Sequence, residues 1–204
     1  YIITPSFSPT TYLLYRLSKY SNKYGLSLRL YINGESIESI WKNRLTKKRR
    51  NSIRKALKNN IEIKVIKDFN DLKEYYKMYL KVCRRLGTRK PLPFTLFKLI
   101  KSRLYLYRDY IAMLALYNGK PIGGILSFIF KDGIHVGCNV YYREYWDLCP
   151  NDVLYWNIIK YACENNFSFV DFGSSKRRGS FMFKSQFGAK IVHLYIYWIY
   201  PNPI

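Results

Sequence analysis

Between Tyr110 and Tyr142 the chain runs through three β-rich stretches joined by Asn118-Gly119-Lys120 and Lys131-Asp132-Gly133. Glycine supplies the positive φ that tight hairpin turns demand, so each joint folds a stretch back alongside the one before it. The spacing therefore predicts an antiparallel meander with strands at Tyr110–Tyr117, Pro121–Phe130 and Ile134–Tyr142. A meander of this length commits the chain to a sheet, and the remaining elements must extend its edges or cover its faces. The apolar region Ile111–Phe130 is interrupted by Tyr117-Asn118-Gly119-Lys120-Pro121, a turn that a membrane span would not carry in its middle.

Around the meander the signals are local and regular. Ile61–Ile66 alternates as a half-buried strand; Asp68 or Asn70 suits the cap of a helix Asp71–Leu86 ended by Gly87, and Pro93 suits the first turn of a helix Phe94–Leu104. Downstream come an amphipathic helix Asp152–Asn165, a short strand Phe167–Phe172, a brief helix Ser180–Gln186 and a last strand Lys190–Tyr200 closed by Pro201. Upstream, Glu38–Asn59 reads as one helix, because Trp41, Leu45, Ile53 and Leu57 recur at multiples of four. Residues 1–38 are rich in Tyr and Ser, with a helix Thr11–Lys23 and a strand Ser27–Ile32, and read as the tail of a preceding unit; residues 39–204 read as one domain. The chain starts at Tyr1 with no signal-like series, so the start is expected to be a cut within a longer protein.

Charge narrows the partners. Thirty-five Lys and Arg against 13 Asp and Glu give a net charge of +22, a field that attracts polyanions. An A/T-rich source genome also yields many Lys, Ile, Tyr and Asn, but it accounts less well for clustering. Nine cations (Lys42, Arg44, Lys47, Lys48, Arg49, Arg50, Arg54, Lys55 and Lys58) follow Glu38 with no acid among them. Cys83, Cys138, Cys149 and Cys163 stand apart, with only His135 and His193 for company. That pattern argues against a zinc site and a disulfide framework and suits a reducing cytoplasm. A nucleophilic pair of Cys149 with His135 has little support.

Three segments carry a closer likeness. Trp41–Ala56 contains Lys-Lys-Arg-Arg-Asn-Ser-Ile-Arg-Lys-Ala; Tyr117–Gly124 reads Tyr-Asn-Gly-Lys-Pro-Ile-Gly-Gly; Phe169–Ser175 reads Phe-Val-Asp-Phe-Gly-Ser-Ser, followed by Phe183-Lys184-Ser185-Gln186-Phe187-Gly188. In this order they resemble the FemAB-like acyltransferases, and the order of elements is similar to the GNAT (N-acetyltransferase) fold. The resemblance implies an α/β domain whose central, mostly antiparallel sheet is flanked by helices, the second of two tandem GNAT units. It further implies a cytoplasmic enzyme that transfers acyl or aminoacyl groups to amines of cell-envelope precursors. No cofactor is held; the acyl donor, aminoacyl-tRNA or acyl-CoA, is a co-substrate. The partners implied are a nucleotide- or lipid-linked anionic acceptor and tRNA, with at most peripheral contact with a membrane.

Acyl transfer needs a neutral amine, an acceptor for its proton and positive charge near the developing oxyanion. Lys184 lies where the family places a lysine near substrate phosphates; on its own it also reads as a solvated lysine on a short helix. Asp171 ends an apolar strand, where it either orients the amine or accepts backbone amides of the loop Gly173–Gly179. Arg50 and Arg54, one helical turn apart, can fork onto a diphosphate or form a solvated face, and Asn51 and Lys55 border them. The family's arginine after Asp-Phe-Gly is Ser174 here, with Lys176, Arg177 and Arg178 close by as replacements of its charge. Tyr141, Tyr142 and Tyr145 are candidates to line a groove. Gly173, Gly179 and Gly188 are expected to serve the backbone.

The turn Trp146-Asp147-Leu148-Cys149-Pro150-Asn151-Asp152 matches the place where an ordinary GNAT holds the pyrophosphate of acetyl-CoA. It has no Gly, lacks a donor at Pro150 and carries two acids, which disfavours acetyl-CoA as the donor. Two alternatives stay open: a catalytically silent nucleic-acid-binding module built on the basic helix, and an acetyl-CoA-dependent N-acetyltransferase.

Overall fold

A computed structural model describes residues 2–5, 23–104, 109–175 and 177–197. Among these residues eight strands form one sheet. In chain order they are β1 (Ile2–Pro5), β2 (Lys23–Tyr31), β3 (Glu62–Val65), β4 (Tyr110–Tyr117), β5 (Lys120–Phe130), β6 (Gly133–Tyr141), β7 (Phe169–Asp171) and β8 (Lys190–Tyr197). Across the sheet the order is β1-β8-β2-β7-β6-β5-β4-β3. The expected meander is β4–β5–β6, and its turns place Asn118 and Gly119 at φ of 49° and 73°. Among the described residues every pairing is antiparallel except that of β6 with β7.

β4 shows why the sheet is covered on both faces. Ile111, Met113 and Ala115 enter one core, while Tyr110, Ala112 and Leu114 enter the other, as the two-residue period of a strand requires. The first core is closed by α1 (Lys47–Lys58) and α4 (Pro150–Glu164), through Ile53, Ala56, Leu154 and Ile158. The second is closed by α2 (Phe69–Leu86) and α3 (Phe94–Leu104), through Leu72, Tyr75, Met78 and Phe97. Asp68 caps α2 by accepting from the Asp71 amide, and Gly87 ends it in the left-handed region.

Three expectations change. The continuous helix Glu38–Asn59 is broken: a turn at Ile37–Ser39 widens through Ile40–Arg44, Leu45 is extended, and Thr46 starts α1 afresh by capping the Arg49 amide. The break restarts the helical phase. The buried face of α1 becomes Arg49, Ile53 and Ala56, and Leu57, expected inside, is exposed. Second, β2 lies on the N-terminal side of the expected boundary at residue 38, yet it pairs with both β7 and β8, and its Leu28 and Leu30 are buried in the first core. Third, the chain already runs extended at Lys23; residues 11–22 of the expected helix, and 198–200 of the expected last strand, lie outside the described residues. No helix among the described residues is long and apolar enough to cross a membrane.

Candidate active site

The site arises where the one parallel pairing ends. β7 matches β6 only from Gly133–Phe169 to His135–Asp171. β6 then takes a bulge at Gly137 and continues to Tyr141, while the chain leaving β7 turns away through Gly173, whose φ of 73° suits glycine. Between the parting strands lies a cavity of about 640 Å³. Asn139 and Tyr141 of β6 line it, together with the first turn of α4, the side of α1 bearing Lys48, Arg49, Ser52 and Lys55, and the helix α5 (Arg178–Ser185).

The aromatic spacing of the last motif fixes α5. Phe183 and Phe187 pack on Tyr155, with ring centroids 5.2 and 5.7 Å away, and Phe187 also meets Phe172. Anchoring those rings turns Lys184 inward, where it donates to the carbonyls of Gly173 (3.3 Å) and Ser174 (2.9 Å). An ammonium has three donors, so one remains for a ligand in the cavity that Lys184 lines. Burial pushes its pKa down, against the pull of the Asp171 carboxylate. Gly188 closes the motif at φ 84°, and a Cβ there would lie 2.9 Å from the Arg44 carbonyl oxygen. Gly179 differs from the expectation: its backbone is ordinary, a Cβ would meet nothing, and it lines the cavity.

Opposite Lys184 sits a buried ion pair. Arg49 of α1 donates to Asp152 in the first turn of α4, and its guanidinium lies 4.7 Å from the Phe183 ring centroid. Burial pushes the Asp152 carboxyl up to about 6, while Arg49 and the Ser52 hydroxyl draw it down. Arg49 Nε is buried with no acceptor among the described residues, a donor that a substrate oxygen would satisfy. The positive end of α4, where a free anion would otherwise dock, thus carries an internal carboxylate already matched by an arginine.

Residues 45–185 match the family model described as "Acetyltransferase (GNAT) domain". The chain belongs to this GNAT acetyltransferase family. Its fold is similar to that of FemX, with a TM-score of 0.72 and 14% identity over 85% of this chain and 61% of that one. It is also similar to the C-terminal domain of a putative lysylphosphatidylglycerol synthetase from Agrobacterium fabrum, with a TM-score of 0.66 and 12% identity over 95% of this chain and 66% of that one. L-PGS from Bacillus licheniformis follows at 0.55 and 12%, over 95% and 67%. Identities this low make these likenesses of fold, and this chain spans 61% of the FemX chain's length. None of the curated proteins matches the sequence.

This GNAT domain sorts the candidate residues into groups. Lys184 and Lys55 line the cavity. Asp171 does not: it is buried, and it accepts from Ser27 Oγ, from Arg29 Nε (3.2 Å) and Nη2 (2.9 Å) and from the Gly173 amide (2.8 Å). Arg50 is spent on the carbonyls of Trp41, Lys42 and Leu45, at 3.2, 3.1 and 2.6 Å, closing the turn before α1. Arg54 is exposed, 5.4 Å from the Trp41 ring centroid, so the expected Arg50–Arg54 fork is not formed. Arg177 and Arg178 are exposed where α5 begins, Ser174 is exposed beside them, and Lys176 lies outside the described residues. Tyr142 borders a separate concavity, and among the described residues only Tyr141 lines both. Cys149 lines the cavity with its thiol pKa raised by burial, while His135 is not among the lining residues.

Arg49 and Asp152 were not singled out by sequence as a functional pair. A signal existed: Arg49 fills the vacant place in the four-residue row Trp41, Leu45, Ile53, Leu57, where an apolar residue belongs. Among the described residues no three His, Cys, Asp or Glu gather as a metal site would require.

Proposed function

We propose that this GNAT domain transfers an acyl or aminoacyl group to an amine of a large anionic acceptor, such as a nucleotide- or lipid-linked cell-envelope precursor. The observation that supports the reading is the Arg49–Asp152 pair at the start of α4, an internal carboxylate at a helix N-terminus where an anion such as a pyrophosphate would otherwise dock. An aminoacyl ester donor needs no such anion slot.

In this reading Asp152 accepts the proton of the incoming amine. The nitrogen attacks the donor carbonyl carbon, the spare N–H of Lys184 and Arg49 Nε stabilise the oxyanion, and the carbon–oxygen bond to the donor breaks. Asp152 returns the proton to the leaving oxygen, so the acceptor gains an amide and the donor a free hydroxyl. Asp171 acts at one remove: with Ser27 and Arg29 it fixes the end of β7, and hence the Gly173 and Ser174 carbonyls that aim Lys184.

The test is full-length protein incubated with aminoacyl-tRNAs or acetyl-CoA and candidate amine-bearing precursors, with products followed by mass spectrometry. Transfer from an aminoacyl ester, with none from acetyl-CoA, is the expected result. Acetyl-CoA turnover at a comparable rate sinks the donor assignment. A second role also has an observation behind it: Lys47, Lys48, Arg54, Lys55 and Lys58 are all exposed on α1, a face suited to a polyanion such as tRNA. Salt-sensitive binding of arbitrary duplex DNA, with no turnover of any donor, favours a binding module instead.

A further inference from the structure

The helical hairpin over the second core shows charge of one sign and exposed aliphatic side chains together. From Tyr75 to Ser102 the sequence holds eight Lys and Arg and no acid. Packing on the sheet takes up Tyr75, Met78, Val82 and Phe97, but four leucines stay outside. Leu80 on α2, Leu86 at its end, Leu92 in the connection and Leu99 on α3 are exposed by between 38% (Leu80) and 52% (Leu99). Leu92 is held in that position. Its amide donates to Tyr79 Oη and its carbonyl accepts from Tyr76 Oη, both at 3.0 Å, so α2 satisfies the backbone and leaves the side chain exposed. Arg84, Arg85, Arg89 and Lys90 stand around Leu86 and Leu92 in sequence, all exposed and without a carboxylate partner among the described residues.

Cations alone suit any polyanion, and α1 is the comparison: five of its cations are exposed, and Leu57 is its one exposed large apolar side chain. The leucines of the hairpin ask for more. Nucleic acid offers phosphates and flat bases, and an aliphatic side chain neither hydrogen-bonds nor stacks on them. A bilayer with anionic head groups answers both features, with lipid phosphates for the cations and the head-group boundary for the leucines. We infer that the tip of the α2–α3 hairpin docks on an anionic lipid bilayer, Leu86 and Leu92 entering the head-group layer between the pairing cations. The Arg85 guanidinium lies 4.7 Å from the ring centroid of Tyr141, which lines the transfer cavity, so docking holds that wall of the cavity near the bilayer surface. The inference goes beyond the transfer reading and does not rest on it.

The full-length protein is sedimented with vesicles of phosphatidylcholine alone and of phosphatidylcholine with phosphatidylserine, at physiological ionic strength. Binding to the anionic vesicles and little to the neutral ones is expected. Arg89→Gln/Lys90→Gln should weaken it about tenfold or more, and Leu86→Gln/Leu92→Gln should weaken it about tenfold, whereas Lys47→Gln/Lys58→Gln on α1 should leave it nearly unchanged. Thermal melting checks each variant, and Leu92→Gln alone serves if the double leucine variant does not fold. Absence of binding to the anionic vesicles overturns the inference. Full binding by Leu86→Gln/Leu92→Gln also overturns it, because a net charge of +22 by itself draws the protein to any anionic surface. So does binding lost in Lys47→Gln/Lys58→Gln but kept in Arg89→Gln/Lys90→Gln, which moves the contact to α1. A short RNA whose binding falls in Leu86→Gln/Leu92→Gln, when vesicle binding does not, assigns the hairpin to nucleic acid instead. Sedimentation needs neither donor nor acceptor, so a negative result leaves the transfer reading standing, and a failed transfer assay leaves the docking standing.

Discussion

Two buried arginine–aspartate pairs flank the cleft, Arg29–Asp171 at the end of β7 and Arg49–Asp152 at the start of α4, and their side chains are equally hidden, at 10%/7% and 8%/9% exposure. Burial therefore does not distinguish them. Asp171 is saturated by Ser27, Arg29 and the Gly173 amide and lies off the cavity wall. Asp152 lines the cavity, and burial lifts its carboxyl into the range where a proton moves near neutral pH. A carboxylate becomes structural when every lone pair has a donor, and it stays available for chemistry when one side opens onto the space where substrate binds.

The contrast breaks most visibly through Asp171→Ala, which strands Arg29 in the interior. Loss of one partner of a buried pair costs about 3–5 kcal/mol, so the urea midpoint should fall steeply. A fold unchanged by that substitution contradicts the structural assignment. Lys184→Met comes next: it keeps the volume beside Phe183 but removes the ammonium, and transfer should drop by about 10²–10³-fold in single-turnover assays, the usual effect of losing an oxyanion donor. Its loss of stability should be smaller than that of Asp171→Ala.

Asp152→Asn tests the other pair by pH. The wild-type rate should rise with pH through about 6 as Asp152 gives up its proton, and the variant should lose that limb along with most of its activity. Stability has the opposite sign. The folded carboxyl is raised from 3.8, so its contribution is fully present below that value and is lost as pH rises through about 6. Denaturation across that window should be flatter in Asp152→Asn. The smallest effect is expected from Ser52→Ala: without the hydroxyl that draws Asp152 down, the acidic limb should move to higher pH. A shift downward shows that Ser52 does not stabilise the carboxylate.

What could be read in advance followed range in the chain. The meander, the α2 cap at Asp68 and its Gly87 stop depend on neighbours within one turn or hairpin, and they lie within a residue or two of where their signals placed them. The Phe183–Gly188 motif pointed to Lys184, and Lys184 lines the cavity because Phe183 and Phe187 anchor α5 at their own spacing. Arg50 differs from its expectation for a local reason too: the chain turns before α1, and Arg50 reaches back to close that turn on the carbonyls of Trp41, Lys42 and Leu45.

Sequence by itself determined most of the elements, their order and the family, since turn glycines, caps and hydrophobic period act over a few residues. The tertiary structure decided which charges meet. Arg49 and Asp152 lie 103 positions apart, and Arg29 and Asp171 lie 142 apart, so no local pattern pairs them. They are joined by the packing of α1 on α4 and by β2 entering the sheet beside β7, and the parting of β6 from β7 opens the cavity to one aspartate and withholds it from the other.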